Sequence, residues 1–237
     1  MNKLWIFGDS YSTYNRERGK TPLSIYNNVS NHLTLEQKNL SISGLCNSDI
    51  FTNLLRFLPE YKKGDCVIFQ LSFLDRFSYI DERKNKELNL HELSLYSLTD
   101  NFFLHPQYYH NGLNNNKLTE PQIKSFNIFV ENIQLNLFDF YYKFFIQLKH
   151  IINFLNSIGV NFKLILLENL GINYNGVFLN LYYLLKEINL TNYIIKFGES
   201  IVIKESQFYY ETGEYEFHHF TRDVIDKIAE EIKTNFI

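Results

Sequence analysis

The sequence contains few of the residues that mark the special classes of protein. Among its 237 residues, cysteine occurs twice, proline four times and glycine ten times. Two cysteines do not make the disulfide framework of a small secreted domain. So few prolines and glycines exclude collagen-like and low-complexity chains. We therefore expect Cys46 and Cys66 to behave as small buried hydrophobic residues.

An excess of charge of one sign and long apolar runs are also missing. The chain has 23 basic and 26 acidic side chains, a formal charge of −3 and a pI of about 6.2. This balance argues against nucleic-acid binding, which favours a basic patch and a high pI. The apolar run Leu4–Phe7 is too short for the core of a signal peptide, and no run approaches the ~18 apolar residues of a membrane span. We therefore expect a cytoplasmic protein without a membrane span.

Hydrophobic residues are abundant, at 45% of the chain, and aromatic residues make up 17%. A chain of this size buries about 70% of the surface that its unfolded form exposes, so a hydrophobic core is sufficient to hold the fold. No internal repeat and no linker divides the sequence. We predict a single domain over residues 1–237.

Short apolar runs alternate with segments of helical periodicity along the chain. The runs predict strands at 4–7, 38–42, 66–71 and 162–167, with weaker candidates at 193–197 and 200–203. The periodicity predicts helices at 48–58, within 121–158, at 177–188 and at 223–236. Such alternation is typical of a parallel sheet covered by helices on both faces. Residues at about 72–120 fit neither pattern, and we interpret them as an insertion after the third strand.

A possible nucleophile follows the first predicted strand, in Gly8-Asp9-Ser10. Parallel sheets bind their ligands at the carboxyl ends of the strands, so a serine at this point can present its hydroxyl to a crevice. The alternative interpretation is a turn in which Asp9 or Ser10 caps a helix.

A possible general base lies near the other end of the chain, in Glu216-Phe217-His218-His219. A serine hydroxyl needs a histidine to accept its proton, and a carboxylate to fix the tautomer of the imidazole. A carboxylate three residues before a histidine can provide that pair on one loop. The alternative is that both histidines are ordinary surface or capping residues.

Taken together, these segments resemble the SGNH hydrolases, also called the GDSL esterase/lipase family. The resemblance rests on the block from Trp5 to Ser12, on the glycine within Ser41–Asn47, and on Phe217–Thr221 immediately before the last predicted helix. It implies an α/β fold: a three-layer flavodoxin-like sandwich with a central parallel sheet flanked by helices. A Gly-x-Ser-x-Gly segment, which the α/β-hydrolases need, does not occur.

The resemblance also assigns roles to individual residues. Ser10 is the implied nucleophile, His219 the general base and Glu216 the orienting carboxylate, in the position of the family's aspartate. The backbone N–H groups of Ser10 and Gly44 are the implied oxyanion donors. His218 is the alternative base because it is adjacent to His219. No spacing of histidine, cysteine, aspartate and glutamate residues suggests a metal site, and we expect no metal or cofactor.

The sequence departs from the family in its third block, where an asparagine normally donates to the oxyanion. Here that segment reads Ser72-Phe73-Leu74-Asp75, and a leucine side chain donates no hydrogen bond. Loss of one such donor lowers the rate by about 10²- to 10³-fold. We nominate the side chains of Asn47 and Ser72 as substitutes.

Three further residues are candidates for substrate binding. Arg76 can hold an anionic group of the substrate, or it can form an ion pair with Asp75. Asp9 and His218 flank the implied catalytic groups in sequence.

The resulting functional prediction is a serine esterase that hydrolyses a small acyl ester, an O-acetyl group, on a carbohydrate through an acyl-enzyme. The expected partner is a small-molecule or polysaccharide acyl ester. Two alternatives remain open: an O-acyltransferase that uses the same serine, and a degenerate member of the family that binds a glycan without chemistry.

Overall fold

A computed structural model describes about half of the chain. The described residues are 1–9, 12, 25–42, 45–72, 124, 128, 137–166, 171–174, 177–180, 182–195 and 222–236. The segment at about 72–120 that we interpret as an insertion lies outside this part of the chain, apart from its first residue, Ser72.

Six strands and five helices are described. The strands are β1 (Lys3–Phe7), β2 (Glu36–Asn39), β3 (Cys66–Leu71), β4 (Asn161–Leu166), β5 (Gly171–Tyr174) and β6 (Val177–Asn180). The helices are α1 (Ile25–Leu33), α2 (Asn47–Arg56), α3 (Leu137–Ser157), α4 (Tyr182–Glu187) and α5 (Arg222–Phe236). Short 3-10 turns cover Leu58–Glu60 and Thr191–Tyr193.

Four of the strands form one parallel sheet in the order β2-β1-β3-β4. Strand β1 is central, and its residue Phe7 is paired with Phe69 of β3. After β4 the chain touches the sheet again, where Ile194 bridges Leu164 in a parallel sense. The predicted α/β class with a parallel sheet is therefore confirmed.

Successive residues of β1 point to opposite faces of the sheet, as the pleat requires. Trp5 and Phe7 pack into a core with residues of α2, α3 and α4, among them Leu54, Leu148 and Leu185. This is the larger of the two described cores, and it contains most of the buried aromatic side chains.

The other face of the sheet is covered by α1 and α5. Leu4 and Ile6 of β1 pack there with Val29 of α1 and with Ile228 and Ile232 of α5. Helices therefore cover both faces, which explains why β1, β3 and β4 are nearly continuous apolar runs, whereas β2, at one end of the described sheet, is polar.

Asp65 holds β1 against the start of β3, at the amino-terminal edge of the sheet. Its carboxylate accepts hydrogen bonds from the Lys3 N–H, the Trp5 indole N–H and the Lys62 N–H, at 2.9, 2.9 and 3.1 Å. Asp65 follows Gly64 in the chain. The backbone of Gly64 has a φ of +89°, a conformation that glycine adopts more readily than other residues. A buried carboxylate with three N–H donors is well satisfied, so Asp65 ties the first strand to the turn before the third.

Two predictions of secondary structure are wrong. Val177–Asn180, the first part of the helix predicted at 177–188, is instead strand β6, which pairs antiparallel with β5; only Tyr182–Glu187 is helical. The second strand is Glu36–Asn39 rather than 38–42. The weak candidate at 193–197 contributes one bridge at Ile194, and the candidate at 200–203 lies outside the described residues.

Both cysteines are expected to react slowly with thiol reagents in the native protein. Cys46 is fully buried, and burial raises the pKa of the Cys66 thiol from 9.0 to about 11. Because the thiolate is the reactive form, Cys66 should react about 100-fold more slowly at pH 8 than an unperturbed thiol. Titration with a chromogenic disulfide should find two fast thiols only after denaturation; two fast thiols in the native protein would contradict this expectation.

Candidate functional site

The carboxyl ends of β1 and β3 lie side by side, because the two strands are parallel neighbours in register. The order β2-β1-β3-β4 reverses direction at β1: the chain passes from β1 to β2 on one side, then to β3 on the other. In open α/β sheets such a reversal opens the crevice in which ligands bind. The residues that follow these two strands are therefore the first place to look for a site.

A buried carboxylate lies at this junction. Asp9 has no exposed surface. Its Oδ1 accepts a hydrogen bond of 2.6 Å from Gln70 Nε2, and its Oδ2 accepts one of 2.7 Å from the Ser72 hydroxyl. Both oxygens therefore act as acceptors toward β3, and such short hydrogen bonds are typical of charge-assisted pairs.

A second branch of the network reaches Gln70 from the opposite side. The Ser12 hydroxyl donates to Gln70 Oε1, and it lies 3.0 Å from the Tyr26 hydroxyl. Burial raises the pKa of the Tyr26 phenol above its ordinary value, so the phenol keeps its proton. Because the Ser12 proton is directed at Gln70, Tyr26 is the donor to Ser12. The hydrogen bonds thus run in one direction, from Tyr26 through Ser12 and Gln70 to Asp9.

Backbone hydrogen bonds fix the same turn. The Ser12 N–H donates to the Asp9 carbonyl at 3.1 Å, and Asn39 Nδ2 donates to the Ser12 carbonyl at 2.7 Å. The Ile42 N–H donates to the Gly8 carbonyl at 3.1 Å. This hydrogen bond extends the contact between the segments that follow β1 and β2. Asp9 and Ser12, the residues on either side of the Ser10-Tyr11 dipeptide, are therefore both anchored.

Gly8 is required by close approach. A Cβ at this position would lie 2.7 Å from Ser12 Oγ, 2.8 Å from Ser12 Cβ and 2.9 Å from Gln70 Oε1. These atoms belong to the buried network and have little room to move. The glycine of the Gly-Asp-Ser segment therefore lets the turn pack directly against β3.

Asn47 and Ser72 bind each other reciprocally. The Ser72 N–H donates to Asn47 Oδ1 at 2.7 Å, and Asn47 Nδ2 donates to the Ser72 carbonyl at 3.0 Å and to the Tyr141 hydroxyl at 3.4 Å. Asn47 is the first residue of α2. This pair therefore joins the start of α2 to the end of β3, and the two side chains predicted to assist the oxyanion donate here to protein atoms. Their oxyanion role stays a prediction.

Three of the predicted site residues meet at this junction, namely Asp9, Asn47 and Ser72. The substrate-binding role predicted for Asp9 also stays a prediction, although its carboxylate lies in the interior. The other predicted site residues lie outside the described part of the chain: Ser10, Gly44, Arg76, Glu216, His218 and His219.

Four residues of the network were not anticipated from the sequence: Ser12, Tyr26, Gln70 and Tyr141. Gln70 did carry a signal, because it is the one amide in the otherwise apolar run Cys66–Leu71, and a buried amide needs partners. Tyr26 and Tyr141 carried none, since buried tyrosines are common in a chain so rich in aromatic residues.

Comparison with known proteins adds no assignment. No protein-family model matches the chain, and no curated protein sequence matches it either. Across the described ranges, no three histidine, cysteine, aspartate or glutamate side chains cluster as metal ligands. None of the helices in that part of the chain is both long enough and apolar enough to cross a bilayer.

Proposed function

We propose that the protein is a serine esterase of the SGNH type, acting on a small acyl ester, an O-acetyl group, of a carbohydrate. Ser10 is the proposed nucleophile, His219 the general base, and Glu216 the carboxylate that orients the imidazole. The backbone N–H groups of Ser10 and Gly44 are the proposed oxyanion donors. On this proposal the sheet belongs to a three-layer, flavodoxin-like sandwich.

The observation that carries the proposal is the position of Asp9. Its carboxylate is anchored at the carboxyl ends of β1 and β3, at the reversal of strand order. Ser10 is covalently attached to this anchored residue. Parallel α/β sheets bind ligands at that point, and this supports the proposal that Ser10 is the nucleophile.

The proposed chemistry proceeds in two steps. The Ser10 Oγ attacks the acyl carbon while His219 takes the hydroxyl proton, and the leaving alcohol recovers that proton as its C–O bond breaks. Water then attacks the acyl-enzyme, with His219 as base again, and releases the carboxylic acid and the free serine. If a second alcohol replaces water in the last step, the same residues transfer the acyl group instead.

Labelling with a fluorophosphonate tests the proposal. The Ser10 Oγ would attack phosphorus, fluoride would leave and the base would take the proton, so the label stays covalently bound. We expect stoichiometric labelling of the native protein, with the modified peptide containing Ser10, and no labelling of heat-denatured protein. Absence of labelling, under conditions that label a reference serine esterase, would favour a glycan-binding protein without chemistry.

The acyl specificity is tested with a matched pair of nitrophenyl esters. We expect faster release from the acetate than from a long-chain ester, and release of acetate from acetylated xylan. Addition of an unacetylated glycan acceptor distinguishes a transferase, because acetyl groups would then appear on the acceptor rather than as free acetate.

A further inference from the structure

The hydrogen-bond network around Asp9 is centred on a fully buried carboxylate. Asp9 is fully buried, and Gln70 and Ser72, the side chains that donate to its two oxygens, are buried as well. Burial of a carboxylate is unfavourable unless it is fully hydrogen-bonded. The hydrogen bonds from Gln70 and Ser72 meet this requirement, and they fix the position of the Asp9 side chain.

The same network binds the residues on both sides of the Ser10-Tyr11 dipeptide. Gln70 donates to the Asp9 carboxylate through Nε2, and accepts from the Ser12 hydroxyl through Oε1. One amide side chain of β3 therefore holds the residues before and after the Ser10-Tyr11 dipeptide. Because Gln70 belongs to the central sheet, Asp9 and Ser12 are both hydrogen-bonded to a side chain of that sheet.

The opposite edge of the sheet offers an internal comparison. Asp65 is also a buried carboxylate that links β1 to β3, but it does so at the start of the strands. Lys3, its partner, lies six positions before Asp9, which corresponds to at most about 20 Å at the rise of an extended chain. Two similar carboxylates thus secure the two ends of the same pair of strands, and only one of them adjoins Ser10.

We propose that Asp9 is a positioning residue, in place of the substrate contact predicted from the sequence: its carboxylate, held by Gln70 and Ser72, fixes the turn that presents Ser10. This inference rests on the proposed function. Positioning matters because a misplacement of about 1 Å at a reacting atom can lower a rate by about 100-fold.

The test compares Asp9→Asn with Asp65→Asn. Asparagine keeps the shape of each side chain but removes the charge and presents an NH₂ group to a former donor. We measure the second-order rate of fluorophosphonate labelling, kcat and KM for nitrophenyl acetate, and the melting temperature. All rates are taken at one temperature at which every variant is folded by circular dichroism.

We expect Asp9→Asn to slow labelling by about 10- to 100-fold and to lower kcat with little change in KM. Asp65→Asn should lower the melting temperature at least as much, while its labelling rate stays within about threefold of the wild type. A purely structural role for Asp9 predicts that both variants lose stability and neither loses rate.

Ser72→Ala serves as the second variant, in case Asp9→Asn does not fold. It removes one of the two donors and leaves Gln70 in place, so we expect a several-fold slower labelling rate. Wild-type labelling combined with unchanged rates in the folded Asp9→Asn or Ser72→Ala protein overturns the positioning role alone. An equal loss of rate in Asp65→Asn also overturns it. Failure of the wild type to label overturns the proposed function, and this inference with it.

Discussion

The Ser10→Ala variant is expected to hydrolyse nitrophenyl acetate at least about 10³-fold more slowly than the wild type. On the proposed mechanism the serine hydroxyl forms the acyl-enzyme, and no other group replaces it; in serine hydrolases such a loss reaches about 10⁶-fold. The measurement is the initial rate at saturating substrate, with circular dichroism as the control for folding. A folded variant that keeps more than about a tenth of the activity would remove Ser10 from the mechanism.

The two adjacent histidines provide a matched pair for the same experiment. We expect His219→Ala to lose activity to an extent similar to Ser10→Ala, because residues that act as a unit are not additive. His218→Ala should retain most of the activity. The wild-type rate should fall at acidic pH, since a protonated imidazole cannot accept the serine proton. The reverse pattern between the two variants would assign the base to His218.

Strands β1, β3 and β4 could be predicted from the sequence because they are largely buried on both faces, whereas the polar and less buried β2 could not. Cys66–Leu71 is a strand with the bounds that the apolar run indicated. β1 and β4 each differ from their predicted ranges by no more than one residue at either end. In a parallel sheet under two layers of helices, every residue of a strand must be apolar or paired. Such strands therefore appear in the sequence as short apolar runs.

The β5–β6 hairpin lies in part where the hydrophobic periodicity predicts a helix. Asn175-Gly176 separates Tyr174 from Val177, which pair across the two strands. An Asn-Gly pair is the strongest short-range signal for a hairpin, since both residues tolerate the positive φ values of a tight turn. The helical spacing over 177–188 predicts a helix there, but this periodicity does not take the preceding Asn-Gly pair into account.

The network at the candidate site could be predicted only in part. Asp9 is recognisable because it follows a buried strand and precedes a serine. Its partners come from positions about 60 residues away along the chain, and the Tyr26 and Asn39 contacts come from two further elements. Side-chain pairing over such separations follows from the register of β1 on β3, which sequence periodicity does not specify.

The largest effect on stability is expected for Asp65→Ala. The substitution leaves three N–H donors without their acceptor, among them the indole N–H of the fully buried Trp5. An unsatisfied buried donor costs about 1–3 kcal/mol, which applies in full to the Trp5 indole; the contacts of the Lys3 and Lys62 N–H groups are only partly buried and add less. We therefore expect the free energy of unfolding to fall by about 2–4 kcal/mol, which lowers the melting temperature of a chain of this size by about 5–10 °C.

Glu60 supplies the control for this prediction, because it is a nearby acidic residue whose side chain is 47% exposed. Its carboxylate pairs with Lys38 at 3.0 Å on the surface. Exposed ion pairs contribute about 0–1 kcal/mol, so Glu60→Ala should shift the melting temperature by no more than about 3 °C. Urea unfolding of the three proteins at one pH gives the comparison. If Asp65→Ala were no less stable than Glu60→Ala, water would have to replace the carboxylate at all three donors, and Asp65 would not be what holds β1 to β3.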